Sequence, residues 1–307
     1  MNGSPRCFHR GGIYLSSTQK EPIIVDTAKV MSVYSSIKEK VVQTAPEGFI
    51  RFADKKETIG YVRKDIAMKL AGTTSDFRLT DVLSFSDATV GSEASRTLAL
   101  RKAADILGKL NLLPEGVSNE LVDIRLSVYD GTYCQAPRNL ARVLGLLTTS
   151  VRLNAYDAQG DFLLAKRMPE KAIGAGKWDS LAGGLVKASE QPMQALYREL
   201  YEEAGLTTSE VEITEGARFV QEFAVAEGMV REVVLSFDGR LKAGVKPANQ
   251  DGSVSEFKSM STEEALTVAT NGDMMYAAAI SICESAMRQC GQRIEEKWLH
   301  YRGQLNI

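Results

Sequence analysis

The stretch from Gly183 to Leu206, GGLVKASEQPMQALYRELYEEAGL, constrains this chain more than any other. From Pro192 to Ala204 the residues are good helix formers. Pro192 sits where a first turn tolerates proline, and Gly205 sits where a helix stops. At about 100° per residue, Glu199, Glu202 and Glu203 share a sector of roughly 100°. Met193, Leu196, Leu200 and Ala204 fall on an adjoining sector, so the helix is predicted to bury one side and present carboxylates on the other. Three acids at this spacing repel one another by a few tenths of a kcal/mol per pair. Crowded hard oxygen donors suit a divalent cation, Mg²⁺ or Mn²⁺, with Glu199, Glu202 and Glu203 as its ligands. The pair Gly183-Gly184 permits a tight turn, and the Gly183 backbone carbonyl can add a further ligand. A solvated amphipathic helix also carries acids on its wet face. What separates this stretch from that reading is the whole pattern, with glycines at both ends and Arg198 among the acids.

The remaining composition narrows the class. With 37 basic and 39 acidic residues the net charge is −2, so there is no global basic field and nucleic acid is not an expected partner. The four cysteines, Cys7, Cys134, Cys283 and Cys290, form no CxxC, and the two histidines are His9 and His300. A zinc site or a disulfide framework is therefore not expected, and a reducing, cytoplasmic compartment fits. No apolar run is long enough to span a bilayer, so no membrane partner is expected. The first twenty residues carry Arg6, Arg10 and Lys20, several serines and no acid, a composition also found in organellar transit peptides.

Along the chain, residues 1–22 read as irregular. Asp26–Val42 reads as a capped helix, 48–54 and 58–63 as a hairpin, 64–70 as a short helix, and 77–85 as one or two strands. Helices are expected at 92–110 and 137–147, with a half-buried strand over 122–128 between them. A second hairpin, 151–157 and 161–167, precedes a Lys- and Gly-rich loop, 168–179, and then the acidic helix. Strands follow at 217–226, 230–237 and 253–260, with connecting chain over 238–249. Helices at 262–270 and 274–289 come before a tail whose Trp298 and Tyr301 could pack back on the body. Tyr197 and Tyr201 are expected near the buried side of the acidic helix. This mixture predicts an α/β fold: a smaller α/β domain at 23–140, an α/β domain with a mixed sheet between helices at 141–290, and a tail at 291–307.

The order Gly184, Glu190, Arg198-Glu199-Leu200, Glu202-Glu203 and Gly205 matches the Nudix box at every specified position, and the chain resembles the Nudix hydrolases. The runs 126–130, 138–156, 167–171 and 176–184 extend the likeness to the thiamine pyrophosphokinase-related subfamily, as do 49–70 and 247–260. The resemblance implies a Nudix α/β/α sandwich behind a smaller α/β domain. It also implies a pyrophosphohydrolase that converts oxidised or damaged thiamine diphosphate to the monophosphate. Glu190 and Arg198 match residues that usually do structural work, with Arg198 orienting a glutamate by a bidentate pair. Two positions depart from the pattern: Arg152 stands where a histidine is common, and Ser253 where an acid is common.

Cleaving a diphosphate requires water to reach a phosphorus shielded by anionic oxygens. Metal ions neutralise those oxygens, and a carboxylate accepts the proton. Glu203 or Glu256 can serve as that base, with Glu202 as a further catalytic acid. Arg167, Lys171 and Lys177 can hold the diphosphate, and Trp178 can stack on a flat heterocycle. A hydrolase of ADP-ribose or another nucleoside diphosphate derivative fits the same motif. A non-catalytic sensor fits less well, because a binder has little use for three crowded acids. Isomerase chemistry on isopentenyl diphosphate would need cysteine and histidine near the acids, and the histidines lie near the chain ends. A homodimer is compatible with the sequence.

Overall fold

The computed structural model describes residues 25–114, 116–127, 130–171 and 173–294. Helix α1 (Thr27–Val41) is capped by the Asp26 carboxylate, which accepts from the N–H groups of Ala28 and Lys29. The hairpin β1 (Phe49–Asp54) and β2 (Glu57–Arg63) leads into α2 (Lys64–Thr73), β3 (Phe77–Leu79), β4 (Leu83–Phe85) and α3 (Glu93–Lys109). A two-stranded ribbon, β5 (Leu121–Ile124) with β6 (Cys134–Pro137), and the short helix α4 (Arg138–Val143) complete the first half. The second half runs β7 (Leu147–Tyr156), β8 (Phe162–Arg167), β9 (Trp178–Asp179), β10 (Ala182–Leu185) and α5 (Pro192–Ala204). It closes with β11 (Val211–Val225), β12 (Gly228–Leu241), β13 (Val254–Met260), α6 (Thr262–Thr270) and α7 (Tyr276–Gln289).

The first half builds a four-stranded sheet, β2-β1-β4-β3, whose apolar face packs on α2 and α3 through Phe52, Leu70, Leu100 and Leu107. The second half builds a mixed sheet in the order β11-β12-β7-β8-β13, with β10 on β7 and β9 on β8. Strand β7 pairs parallel to β12 along its length, while its other edge is shared between β10 near Val151 and β8 near Tyr156. One face of this sheet is covered by α1, α6 and α7, and the other by α5. The result is an α/β/α sandwich with a smaller α/β unit beside it.

Several elements depart from the expected pattern. Helix α1 buries Val30, Tyr34, Ile37 and Val41 against α6, α7 and β11, so it belongs to the sandwich core, although the division at 23–140 groups it with the first half. The helix expected over 137–147 ends at Val143. Gly145, at φ 57°, turns the chain, because a Cβ there would strike the backbone of Tyr61. Leu147 then opens β7, which is buried throughout and starts four residues before the expected strand at 151 because its first residues, Leu147 to Ser150, do not alternate in polarity. Both β11 and β12 begin earlier than expected, and β12 also runs on to Leu241; the added residues mix apolar, polar and glycine positions with no single period. Tyr197 and Tyr201 are exposed, at 41% and 57%, rather than packed. Each follows a buried leucine by one residue, and a rotation of about 100° carries it outward.

Residues 1–22 with their leader-like composition, both histidines, and the tail with Trp298 and Tyr301 lie outside the described residues. Among the described residues, no helix is long and apolar enough to cross a membrane.

Candidate active site

Helix α5 starts with a reciprocal cap between Gln191 and Gln194, has Pro192 in its first turn, and stops at Gly205 in the left-handed conformation. Its buried stripe is Ala195, Leu196, Leu200 and Ala204. At about 100° per residue, Glu199 and Glu203 fall within the arc bounded by Ala195 and Leu196, while Glu202 lies roughly 100° from Glu203 on the outer margin. The helix therefore draws two of its acids toward the sheet and leaves Glu202 39% exposed.

Strand β10 receives them. The Gly183 N–H donates to Glu203 Oε2 at 2.8 Å, so this edge of the strand faces α5 and not β7. The Gly183 carbonyl, on the same side of an extended strand, is available there too. At Gly184 the lack of a side chain is what admits Glu199. A Cβ at this position would overlap three atoms of the Glu199 carboxyl group, the farthest at 2.8 Å. The two glycines thus form a thin partition, with glutamates against one surface and, at Gly183, the Arg152 side chain against the other.

Arg198 organises the rest of the helix. Its Nε and Nη2 donate to the two oxygens of Glu190 at 2.8 and 2.9 Å, a bidentate pair, and Nη2 also donates to the Leu185 carbonyl. Nη1 donates to Glu199 at 2.5 Å and to Glu202 at 3.2 Å. Burial raises the Glu190 pKa, but the bonds from Arg198 and from the Lys187 N–H outweigh it and leave the carboxyl below its ordinary range.

Glu199 and Glu203 behave differently. Burial, followed by the charges of Glu199 and Asp179, pushes Glu203 up to about 8. Burial also raises Glu199, against the pull of Arg198. Ser253, at the position where an acid is common, places its Oγ 3.4 Å from Glu203 Oε1. Asp179 is buried between two cations: Arg152 Nη1 donates to both its oxygens at 3.0 Å, and Arg167 Nη1 donates to one at 3.2 Å. Burial disfavours the Arg152 charge, but Asp179 and the neighbouring glutamates hold its pKa above the ordinary value.

Beside this partition lies a cavity of about 350 Å³. It is lined by Gly183, Gly184 and Leu185, by the cations Arg152, Arg167 and Lys177, and by Gln221, Phe223, Glu232 and Tyr276. Arg138 and Arg142 of α4 close one side. The helix α4 packs in the core of the first half, and Arg142 pairs with Glu227 at the tip of the β11–β12 hairpin.

The structure brings together Glu199, Glu203, Gly183, Arg167 and Lys177, with Glu190 and Arg198 behind them. It does not bring Glu256 to the acids: that residue sits half-exposed on β13, paired with Lys166 at 3.8 Å, because its strand register turns it opposite Lys166. Trp178 does not line the cavity. It packs on the α7-side core, held by backbone bonds to Asp273 and Met275, with Lys166 over its ring at 5.4 Å. Lys171 likewise lies outside the cavity lining, in a turn closed on Met168. Gln221, Phe223, Glu232 and Tyr276 carry no local motif. They meet only because β11, β12 and α7 converge.

Among the described residues, no three acidic, cysteine or histidine side chains stand close enough together to hold a cation as they are, and Arg198 engages both Glu199 and Glu202. The donor chemistry nevertheless fits a hard divalent ion. Burial makes ionisation of Glu199 and Glu203 costly, the Glu199 charge adds to that cost at Glu203, and a cation relieves it.

Residues 147–278 match the family described as NUDIX domain. The chain is 26% identical over 232 residues to Nudix hydrolase 24, chloroplastic, of Arabidopsis thaliana, an alignment covering 68% of this chain and 59% of that protein. It is 26% identical over 233 residues to Nudix hydrolase 20, chloroplastic, of the same plant, with the same coverage. The chain thus spans 59% of the length of these relatives. The crystal structure of DR0079 from Deinococcus radiodurans superposes with a TM-score of 0.43 at 16% identity, over 54% of this chain and 99% of that one. The matched residues run from β7 to the start of α7 and take in both β10 and the acidic helix α5.

Proposed function

We propose that the protein is a divalent-metal-dependent pyrophosphohydrolase acting on a diphosphate-linked small molecule. One observation carries this reading: the buried pair Glu199 and Glu203 abuts two glycines that also line an arginine-bearing cavity. Glu199 and Glu203, with Glu202 and the Gly183 carbonyl, would hold the cation. When bound, the ion supplies charge neutralisation at the phosphates and a more acidic water. The protein's own groups do the rest. Arg152, Arg167 and Lys177 bind the diphosphate oxygens and orient the bridging oxygen away from the attacking water. Glu203 takes the proton as the water oxygen bonds to phosphorus and the bridging P–O bond breaks, giving two phosphate products. Arg198 fixes Glu190 and Glu199, so the acids keep their positions through turnover.

Within this class, the finer reading is an oxidised thiamine diphosphate analogue, and ADP-ribose is the alternative. The test is phosphate or monophosphate release with Mg²⁺ or Mn²⁺ from thiamine diphosphate, its oxo and oxy analogues, ADP-ribose, NADH and the nucleoside triphosphates. Turnover of at least one, abolished by Glu203→Gln in a folded protein, supports the proposal. Turnover of none by the wild-type protein refutes it.

A further inference from the structure

Two buried polar atoms in the cavity wall have no hydrogen-bond partner among the described residues: Arg152 Nε and Gln221 Oε1. The first is a donor among the lining cations and suits a phosphate oxygen. The second is an acceptor on strand β11, and it points to something else. Gln221 and Glu232 face each other directly across β11 and β12. Gln221 Nε2 donates to Glu232 Oε1 at 3.1 Å, and Ser150 Oγ donates to the same oxygen at 2.6 Å. A carboxylate only accepts, so the amide must turn its NH₂ toward Glu232, which leaves Gln221 Oε1 as an acceptor. Gln221 is 5% exposed, so no bulk solvent reaches that oxygen. Next to it, Phe223 and Tyr276 meet edge to face at 5.3 Å and both line the cavity.

We propose that Gln221 and Glu232 form a donor-reading wall. It selects diphosphates whose organic head is a planar heterocycle bearing an amino or ring N–H group, seated against Phe223. This rests on the hydrolase reading above and specifies its substrate class. The amide oxygen and the carboxylate accept from the head, while Arg152, Arg167 and Lys177 hold the phosphates at the other end. A head without a donor leaves the buried acceptor unpaired in the complex and is rejected for that reason.

The experiment uses matched pairs that differ only in an amino group: ADP-ribose against its counterpart with the 6-amino replaced by hydrogen, and thiamine diphosphate against its 4′-desamino analogue. The wild-type protein should prefer the amino member of a hydrolysed pair by at least about tenfold in kcat/KM. In Gln221→Leu and Gln221→Met the ratio should fall to about twofold or less, chiefly through KM. Two variants guard against a misfolded one, and circular dichroism checks both. Equal use of the two members by the wild type, or a ratio retained in a folded Gln221 variant, overturns the proposal. If no diphosphate is hydrolysed, the hydrolase reading fails, and the same pairs are compared by isothermal titration. A tenfold affinity difference that is lost in the Gln221 variants then sustains the wall, and equal affinities overturn it.

Discussion

Replacing Gly184 with alanine tests the glycine partition at its thinnest point. The three heavy atoms nearest the added Cβ all belong to the Glu199 carboxyl group, the flexible end of a side chain, which can give way before the backbone does. The carboxyl must instead retreat by roughly 1 Å, and a displacement of that size at a reacting centre costs about 100-fold in rate. Gly183→Ala is the contrasting variant. Its Cβ would stand 2.9 Å from the Val151 carbonyl oxygen as well as 2.7 Å from Arg152 Cδ, so β10 itself must shift on β7. The expected result is that Gly184→Ala loses about two orders of magnitude in kcat with a melting temperature close to wild type. Gly183→Ala should lose activity and stability together. Steady-state kinetics on whichever diphosphate the wild type hydrolyses, with thermal melts of both variants, decides the matter. Unchanged kcat in Gly184→Ala would show that the position of Glu199 is irrelevant to turnover.

Three further outcomes follow from the same geometry. Arg152→Ala removes one partner of a buried ion pair; with Arg167 still on Asp179 the loss should sit near the low end for such pairs, about 3 kcal/mol, measured by urea unfolding. A variant as stable as wild type would mean that Asp179 does not depend on this pairing. Glu203, raised from 4.5 to about 8, holds its proton more tightly folded than unfolded, so cation-free stability should decline as pH rises from about 5 to 8. Glu203→Gln should flatten that decline, and Mg²⁺ should raise the melting temperature more at pH 8 than at pH 5; an equal gain at both pH values would contradict the placement of the cation. Arg198→Lys cannot reproduce the fork on Glu190, so it should lower kcat more than it raises KM, and an unaltered kcat would remove Arg198 from the positioning of Glu199.

What a sequence can show here is what it keeps local. The helix at 192–204, its caps and its acids are encoded within one continuous stretch, so its existence and its link to cation chemistry were readable. The cap at Asp26 and the hairpin at 49–63 were readable for the same reason. Burial of Glu199 and Glu203 apart from Glu202 was not, because an angular sector does not tell which part of it meets the sheet. Glu256 and Trp178 looked like site residues by their neighbourhood in the chain. The register of β13 on β8 and the docking of Trp178 under Met275 direct them elsewhere. The walls made by Gln221, Glu232 and Tyr276 depend on pairings between distant strands, which no local pattern announces.

The placement of α1 has a practical consequence for anyone dissecting the protein. Tyr34 and Val30 are sealed under α7, so the sandwich half begins, in space, with residues that precede the four-stranded sheet in the chain. Cutting at residue 140 to isolate that half would strip a helix from its hydrophobic interior, and the fragment's loss of affinity would report unfolding instead of a missing pocket wall. An informative dissection would excise the four-stranded sheet as an internal loop and splice α1 onward with a short linker.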